Sequence, residues 1–422
     1  MKPVSILASL LLLLASAGPL RADDAAIKPY IGDTTIVVVR IDVQKFDLDA
    51  IKTWHDQIFQ KTFGKQPTPM SAPLAKMLPT IRQAMDAMVK ARGGVAYIVF
   101  NFDLRGAWSV LVIPVTPGTD TTELSSLLLK HGQAQPDLTL ETATIGSALV
   151  YGPIASVERM KTAQPADRPE LMSALAAAPD APVNIAFAPP VALKIMAMTA
   201  APRAQGAMAV ILGPLMQNMD WLSVSANLPP QESLTLQLAA KDAQGATTIA
   251  VALQPLLDQL RQNQEMAPLA GLLAPIQKEN MLTIDIPTAA MEKTVIPIVS
   301  KAIVAAMANA VVSQSAAHLK QLLIGCFMYS NEHQGQWPDK LDDIAGEVPN
   351  FDQLLINPTR PQAKPGYIYV KPDPAATLAP DQVIVLYEPP DGQKPVAIGY
   401  EDGHVQIYPA QQAQDLLKGV GK

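Results

Sequence analysis

Three groupings of side chains in this sequence carry the residue types that acid–base or metal chemistry uses. Glu332 stands beside His333, and Asp402 stands two residues before His404. Asp339, Asp342, Asp343 and Glu347 crowd one short stretch. A carboxylate next to an imidazole is the pairing of general acid–base catalysis. Clustered oxygen ligands are what a calcium ion requires. Each grouping also has a purely local reading. Neighbouring residues on a helix diverge in direction, so Glu332 and His333 do not converge. A turn aspartate commonly accepts a hydrogen bond from its own backbone, which is a sufficient role for Asp402. The spacing of the four carboxylates is not that of an EF-hand, and carboxylates at a helix start favour the helix dipole.

No G-x-S-x-G, H-E-x-x-H or P-loop pattern is present. Five histidines and one cysteine in 422 residues make no His/Cys ligand set. The expectation is therefore a protein that is not an enzyme, with no catalytic, cofactor-binding or metal-binding residue and no cofactor. Hydrolysis through Asp402 and His404 is the enzymatic alternative. Cys326 sits at helical spacing among apolar residues and reads as a buried small hydrophobe; a reactive thiol is the sharper alternative. One cysteine allows no internal disulfide framework. Tyr329 and Trp337 flank the same helix end, where such residues either cap a core or anchor an interface.

The elements that position these residues follow a signal-like start. Lys2 precedes an apolar run from 6 to 15, Pro19 breaks it, and Ala22 offers a small-residue cleavage point before Asp23. This pattern predicts a secretory signal peptide over 1–22 and export to the periplasm or the extracellular space. The apolar run falls short of the ~20 residues a membrane span needs, so no membrane span is expected in the mature chain. The net charge of −6 and the lack of a basic run argue against nucleic acid and anionic membrane surfaces as partners.

Periodicity predicts a strand at 34–42, helices at 45–59 and 73–91, strands at 95–102 and 108–115, and a helix at 121–130. A strand pair follows at 138–144 and 148–151. The order then recurs: a strand at 183–187, a largely helical stretch at 190–219, strands at 222–226 and 233–240, a helix at 243–260 and a strand at 281–286. Strand–helix–strand–strand–helix–strand is the ferredoxin-like order. Two tandem, diverged α+β units are expected, at 23–163 and 164–290. Their methionine-bearing helices either fill gaps above the sheets or line a cavity for an apolar ligand.

From Met291 to about Glu332 the chain reads as one long helix. Leu319, Leu322, Leu323, Cys326 and Phe327 fall on a single stripe at its end. Short strands are expected at 366–370, 383–388, 396–400 and 404–408, the last two joined by a turn at Glu401-Asp402-Gly403. A final helix is expected at 410–418.

This third part resembles the globular domain of type II secretion pseudopilins and related prepilin-like proteins. The resemblance rests on His318-Leu319-Lys320-Gln321-Leu322, then Met328-Tyr329 and Ser330-Asn331-Glu332-His333, then Gly335, Trp337-Pro338 and Leu341. It also rests on Tyr400-Glu401-Asp402-Gly403-His404-Val405 near the end. It covers residues 291–422, about a third of the chain. It implies a long helix packed on a small antiparallel sheet, and, because some pseudopilins hold calcium in a loop of this domain, a calcium ion at Asp339, Asp342, Asp343 and Glu347 is the metal alternative. The expectation for the whole chain is a non-catalytic structural or protein-interaction protein of the cell envelope, related to secretion or pilus assembly, with a protein partner. Binding of an apolar ligand is the alternative.

Overall fold

The computed structural model describes residues 24–63, 71–91, 93–103, 106–132, 139–200, 207–373, 375 and 377–420. The signal peptide expected over 1–22 lies outside the described residues. The protein is a mixed helix-and-sheet chain that divides into two compact units, residues 1–300 and 301–422.

The first unit is built on one antiparallel sheet of ten strands. In chain order its elements are β1 (Thr35–Asp42), α1 (Leu48–Phe63), α2 (Ser71–Lys90), β2 (Val95–Asp103), β3 (Gly106–Pro114), α3 (Thr122–Gly132), β4 (Leu140–Ile145), β5 (Ala148–Pro153), α4 (Ile154–Thr162) and α5 (Pro169–Ala176). Then come β6 (Val183–Phe187), α6 (Val191–Ala200), α7 (Ala207–Asn218), β7 (Met219–Asn227), β8 (Ser233–Ala240), α8 (Ala243–Gln262), α9 (Ala267–Leu272), β9 (Ile276–Lys278) and β10 (Met281–Ile286).

The strand order is β4-β5-β3-β2-β1-β6-β7-β8-β10-β9. It is a palindrome: β1 to β5 and β6 to β10 have the same topology and meet along the β1–β6 ladder. That ladder is antiparallel, with Val37 opposite Phe187, Val39 opposite Ile185 and Ile41 opposite Val183. Two like halves joined by an antiparallel ladder are related by an approximate two-fold axis normal to the sheet.

The recurrence of element order matches the sequence, but the ferredoxin-like topology does not form. A split β-α-β unit holds two parallel strands apart with a third between them. Here β1 pairs directly and antiparallel with β2. The reason is the number of helices between them. A single helix carries the chain to the far end of the sheet and permits a parallel return. Two helices, α1 and α2, bring it back to the end it left, so β2 must run antiparallel to β1. The pair α6 and α7 does the same for β6 and β7. The units expected at 23–163 and 164–290 therefore share one sheet.

On one face α1, α2 and α3 bury Leu48, Met85, Met88 and Leu124 against Val39, Ile41, Ile98 and Ile113. In the second half α7 and α8 bury Met216 and Ile249 against Leu238 and Leu282, with Phe187 alongside. The opposite face of the first half is covered by the 3-10 turn Asp24–Tyr30, α4 and α5, over Val38, Val99, Val110 and Ala186. In the second half that opposite face carries Ser223, Ser225, Thr235, Gln237 and Thr283. This is why β8 alternates apolar and polar residues whereas β1 is apolar almost throughout.

Two arginines lock the middle of the sheet. Arg40, fully buried on β1, donates from Nη2 to the carbonyls of Pro179 (2.6 Å) and Ala181 (2.8 Å), and its Nη1 lies 3.6 Å from the Asp24 carboxylate. Arg168 donates to the carbonyls of Thr35 (2.6 Å) and Ala188 (2.8 Å), tying the start of β1 to the chain just past β6.

In the second unit, α10 (Ile296–Glu332, of which 301–332 belong to this unit) packs on a four-stranded antiparallel sheet. The strands are β11 (Ile368–Tyr369), β12 (Ile384–Tyr387), β13 (Val396–Tyr400) and β14 (Val405–Tyr408), in that spatial order. Leu319, Leu322 and Cys326 of α10 are fully buried against Leu386 and Ala397. A Cβ built on Gly399 would lie 2.6 Å from Leu319 Cδ2, so the glycine admits the helix to the strand. Gly403 takes φ +87° in the turn between β13 and β14, as expected for that position. α11 (Ala410–Leu417) covers the other face through Ala413 and Leu417, over Val396, Ile398 and Tyr400.

Replacing Arg168 by Met keeps much of the buried volume and removes the donors to Thr35 and Ala188. Because each stranded buried acceptor costs about 1–3 kcal/mol, Arg168→Met is expected to lower unfolding free energy by about 2–4 kcal/mol in urea titrations.

Candidate functional site

The structure brings Asp402 and His404 together. Asp402 Oδ1 accepts the backbone N–H of His404 at 3.0 Å and lies 2.5 Å from its Nδ1. The imidazole stacks on the Tyr400 ring at 4.3 Å, and the Tyr400 and Tyr408 hydroxyls bond each other at 2.8 Å. The backbone amide of His404, followed by its ring, holds the Asp402 carboxyl below the usual carboxylate range. This is an acid–base pair in geometry, but it also closes the β13–β14 turn. None of the four described clefts is lined by either residue.

Glu332 and His333 do not form a pair. His333 Nδ1 lies 2.8 Å from the Tyr329 carbonyl, and its ring stacks on Tyr329 at 3.8 Å. That contact caps the C-terminus of α10. Three of the four carboxylates are used locally. Asp343 accepts the backbone N–H groups of Asp339 and Lys340, both at 3.0 Å. Asp339 pairs with Lys371 at 2.5 Å, and Asp342 lies 3.9 Å from Lys340. Among the described residues, no three or more His, Cys, Asp or Glu side chains are grouped to hold a metal ion.

Cys326 is fully buried, and burial pushes its thiol up to about 12. Tyr329 and Trp337 pack against the α10 core cluster, with Trp337 5.1 Å from Phe327. Met85, Met88, Met216 and Met219 are buried as core filling.

Two arrangements were not found by sequence reasoning. The first ties α10 to the end of the interior strand β12 of the second unit. Glu388, fully buried just after β12, accepts a hydrogen bond from Ser315 of α10, one from the N–H of Ala397 (3.1 Å) and one from Arg360 Nη1 (3.2 Å). Arg360 Nε lies 3.3 Å from Asp391, which also accepts the N–H groups of Lys394 (2.8 Å) and Gln393 (2.9 Å). Desolvation raises the Asp391 carboxyl. Those two amides and Arg360 outweigh it and hold the group at about 2. Arg360 Nε and Nη2 are buried without hydrogen-bond partners, and a buried ion pair of this kind is weak evidence for net stability. Its signal in the sequence is a lone carboxylate at the end of the apolar run Val383 to Tyr387.

The second is a cleft of about 680 Å³ in the first unit, at the ends of β1, β2 and β6. Its wall is mostly apolar, with Trp108, Met160, Leu193 and Met196. Trp108 is held in place by Asp103, which accepts its Nε1–H at 3.3 Å, and by Arg159 5.9 Å from the ring centroid. Asn101, 3% exposed, also lines the cleft. Its Oδ1 accepts from Thr35 at 2.8 Å and Thr34 at 3.4 Å, while its buried Nδ2 has no hydrogen-bond partner. An unmet buried donor costs about 1–3 kcal/mol. Its signal was a single amide inside the apolar run Val95 to Phe102.

Compared with protein-family models, with curated proteins and with solved structures, the chain matches none.

The Asp391 carboxyl sits below its ordinary 3.8 in the folded state. Its ionisation therefore favours the fold above about pH 4, and that contribution is lost as pH falls toward 2. The urea midpoint of the second unit is expected to drop between pH 4 and 2. Asp391→Asn should start lower and show a shallower drop over that interval.

Proposed function

We propose that this is an exported, non-catalytic protein-interaction protein of the cell envelope, with a pseudopilin-like domain at 291–422 and a role in secretion or pilus assembly. The observation that carries it is the packing of α10 in the second unit. The stripe Leu319, Leu322, Cys326 lies on a small antiparallel sheet whose β13–β14 turn contains Asp402 and Gly403. This is the arrangement that the sequence resemblance implies. No helix among the described residues is long and apolar enough to cross a membrane, in keeping with a chain that works by contact rather than as a membrane-anchored filament subunit.

The contact face proposed for the second unit is the outward side of α10. Ile324 is 48% exposed and Met328 43%, one helical turn apart. Exposed apolar pairs of this kind suit a protein partner. Binding of an apolar ligand is the second reading. Met85, Met88, Met216 and Met219 fill the core, and the cleft beside Trp108, which Met196 lines, is where such a ligand would fit.

Two measurements test the proposal. The protein recovered from envelope or culture fractions is expected to begin at Asp23 by N-terminal sequencing; intact Met1 in the cytoplasmic fraction would contradict export. Ile324→Glu with Met328→Glu should change stability by no more than about 0.5 kcal/mol, as surface substitutions usually do. The pair should abolish cross-links formed through the second unit in envelope preparations. An unchanged cross-link pattern would remove α10 as the contact face.

A further inference from the structure

We infer that two copies of this chain join along β4, edge to edge and antiparallel, about a two-fold axis that passes through Thr142 normal to the sheet. The surface lies entirely in the first unit, and its occupant is β4 of a second copy. The inference goes beyond the contact role given to α10 and does not rest on it.

Backbone groups at the rim of the sheet select a strand as the occupant. β4 pairs with β5 alone, from Leu140 opposite Pro153 to Ile145 opposite Ala148. In an antiparallel ladder alternate residues bond the neighbouring strand, and those between them turn their N–H and C=O groups away. The Ile154 N–H donates to the Thr139 carbonyl at 3.2 Å. By that alternation 139, 141, 143 and 145 bond inward, so Leu140, Thr142 and Thr144 present their amides and carbonyls at the rim. Among the described residues, none of these rim groups has a hydrogen-bond partner. Donors and acceptors alternating at that spacing fit another extended backbone. Sheet edges are ordinarily blunted by shortness, by charge or by a covering element. β9, at the other end of this sheet, has three residues and ends in Lys278. Its Gln277 side chain also donates to the Ala243 carbonyl of α8 at 3.0 Å. β4 has six residues without lysine or proline, and its one charge, Glu141, lies 3.5 Å from Lys161.

Self-complementarity narrows the occupant to a second copy. With the axis at Thr142, that residue pairs with its own copy, and Leu140 of each copy faces Thr144 of the other. Each such pair exchanges two N–H···O bonds, so every rim group from Leu140 to Thr144 is met. The side chains agree with this register. Thr–Thr pairs are favourable across strands, and like charges directly opposite are not. Glu141 of each copy stands across from Ala143 of the other, so the two glutamates do not oppose each other. The chain already uses the same operation internally, where β1 and β6 join its two like halves by an antiparallel ladder. Joining at β4 repeats it and runs one sheet through both copies.

The test follows the purified full-length protein by sedimentation equilibrium over a micromolar concentration series. A reversible monomer–dimer equilibrium is expected. Thr142→Pro removes the N–H on the axis and spares the bonds to β5, because that amide points outward. It should weaken dimerisation roughly tenfold or more, with the thermal midpoint little changed. If Thr142→Pro lowers the midpoint, Thr142→Lys, which sets like charges directly across the axis, takes its place. A second measurement reads the register. Bonded partners in such a ladder have Cα atoms about 5.5 Å apart, within the reach of a disulfide. Thr142→Cys should therefore give a disulfide-linked dimer on mild oxidation. Thr144→Cys, which faces Leu140 rather than its own copy, should not. Cys326 is buried and contributes no cross-link. Monomer throughout the series, unchanged association in the Thr142 variant, or cross-linking by Thr144→Cys as readily as by Thr142→Cys would each overturn the inference. None of these outcomes bears on the mature N-terminus or on the α10 face, so the broader proposal is judged separately.

Discussion

β13 has both faces covered. Ala397 packs against α10, Gly399 lets Leu319 and Leu323 of that helix approach, and Val396, Ile398 and Tyr400 pack beneath α11. Most of the second unit follows from this constraint. A strand covered on both faces must be short and apolar. The helix above it must present a continuous stripe, and the closest approach must fall at a residue without a side chain. Full burial of a leucine is worth about 1.5–3 kcal/mol, an upper estimate because unfolded chains are partly compact. Leu319, Leu322 and Leu323, all fully buried, therefore anchor α10 more firmly than any hydrogen bond at its end. The Ser315–Glu388–Arg360 network adds direction, because its hydrogen bonds form only when helix, loop and strand end meet in one register.

The first unit solves a different problem. Its central strands β1 and β6 join the two halves of a near-symmetric sheet, so among the described residues the free sheet edges are β4 and β9 at the far ends. The halves have diverged after their last strands. Behind β5 the chain turns back as α4 and α5 and covers one face. Behind β10 it enters the helical stretch that leads to α10, and the corresponding face is left to serine, threonine and glutamine. The cleft beside Trp108 lies where the covering elements of the first half meet the end of β6.

Long periodic elements could be read from the sequence. The apolar strands, the paired helices before β2 and the stripe from Leu319 to Phe327 all appear where their spacing predicts them. The turn at Gly403 was legible because an Asp-Gly pair between two strands needs positive φ. The topology was harder. The sequence itself places two helices between the first two strands, yet element order alone suggests the ferredoxin arrangement. Counting helical passes, rather than elements, gives the antiparallel pairing. The polar residues that matter most were hidden by their surroundings. Arg40, Asn101 and Glu388 each stand alone in or beside an apolar strand, and nothing local names their partners, which lie 139, 66 and 73 residues away. By contrast the eye-catching residues His333, Asp339, Asp342 and Asp343 are used up in local caps and surface ion pairs.

The central claim is that α10 lies sealed on the small sheet, and the only cysteine in the chain reports on it directly. Cys326 is fully buried beneath that contact. In native buffer at pH 8 an aromatic disulfide reagent such as Ellman's should label almost nothing over an hour, and guanidinium should release one full equivalent. Complete labelling of the native protein within the mixing time would mean that the helix stands clear of the strands, and the account of the second unit would fail.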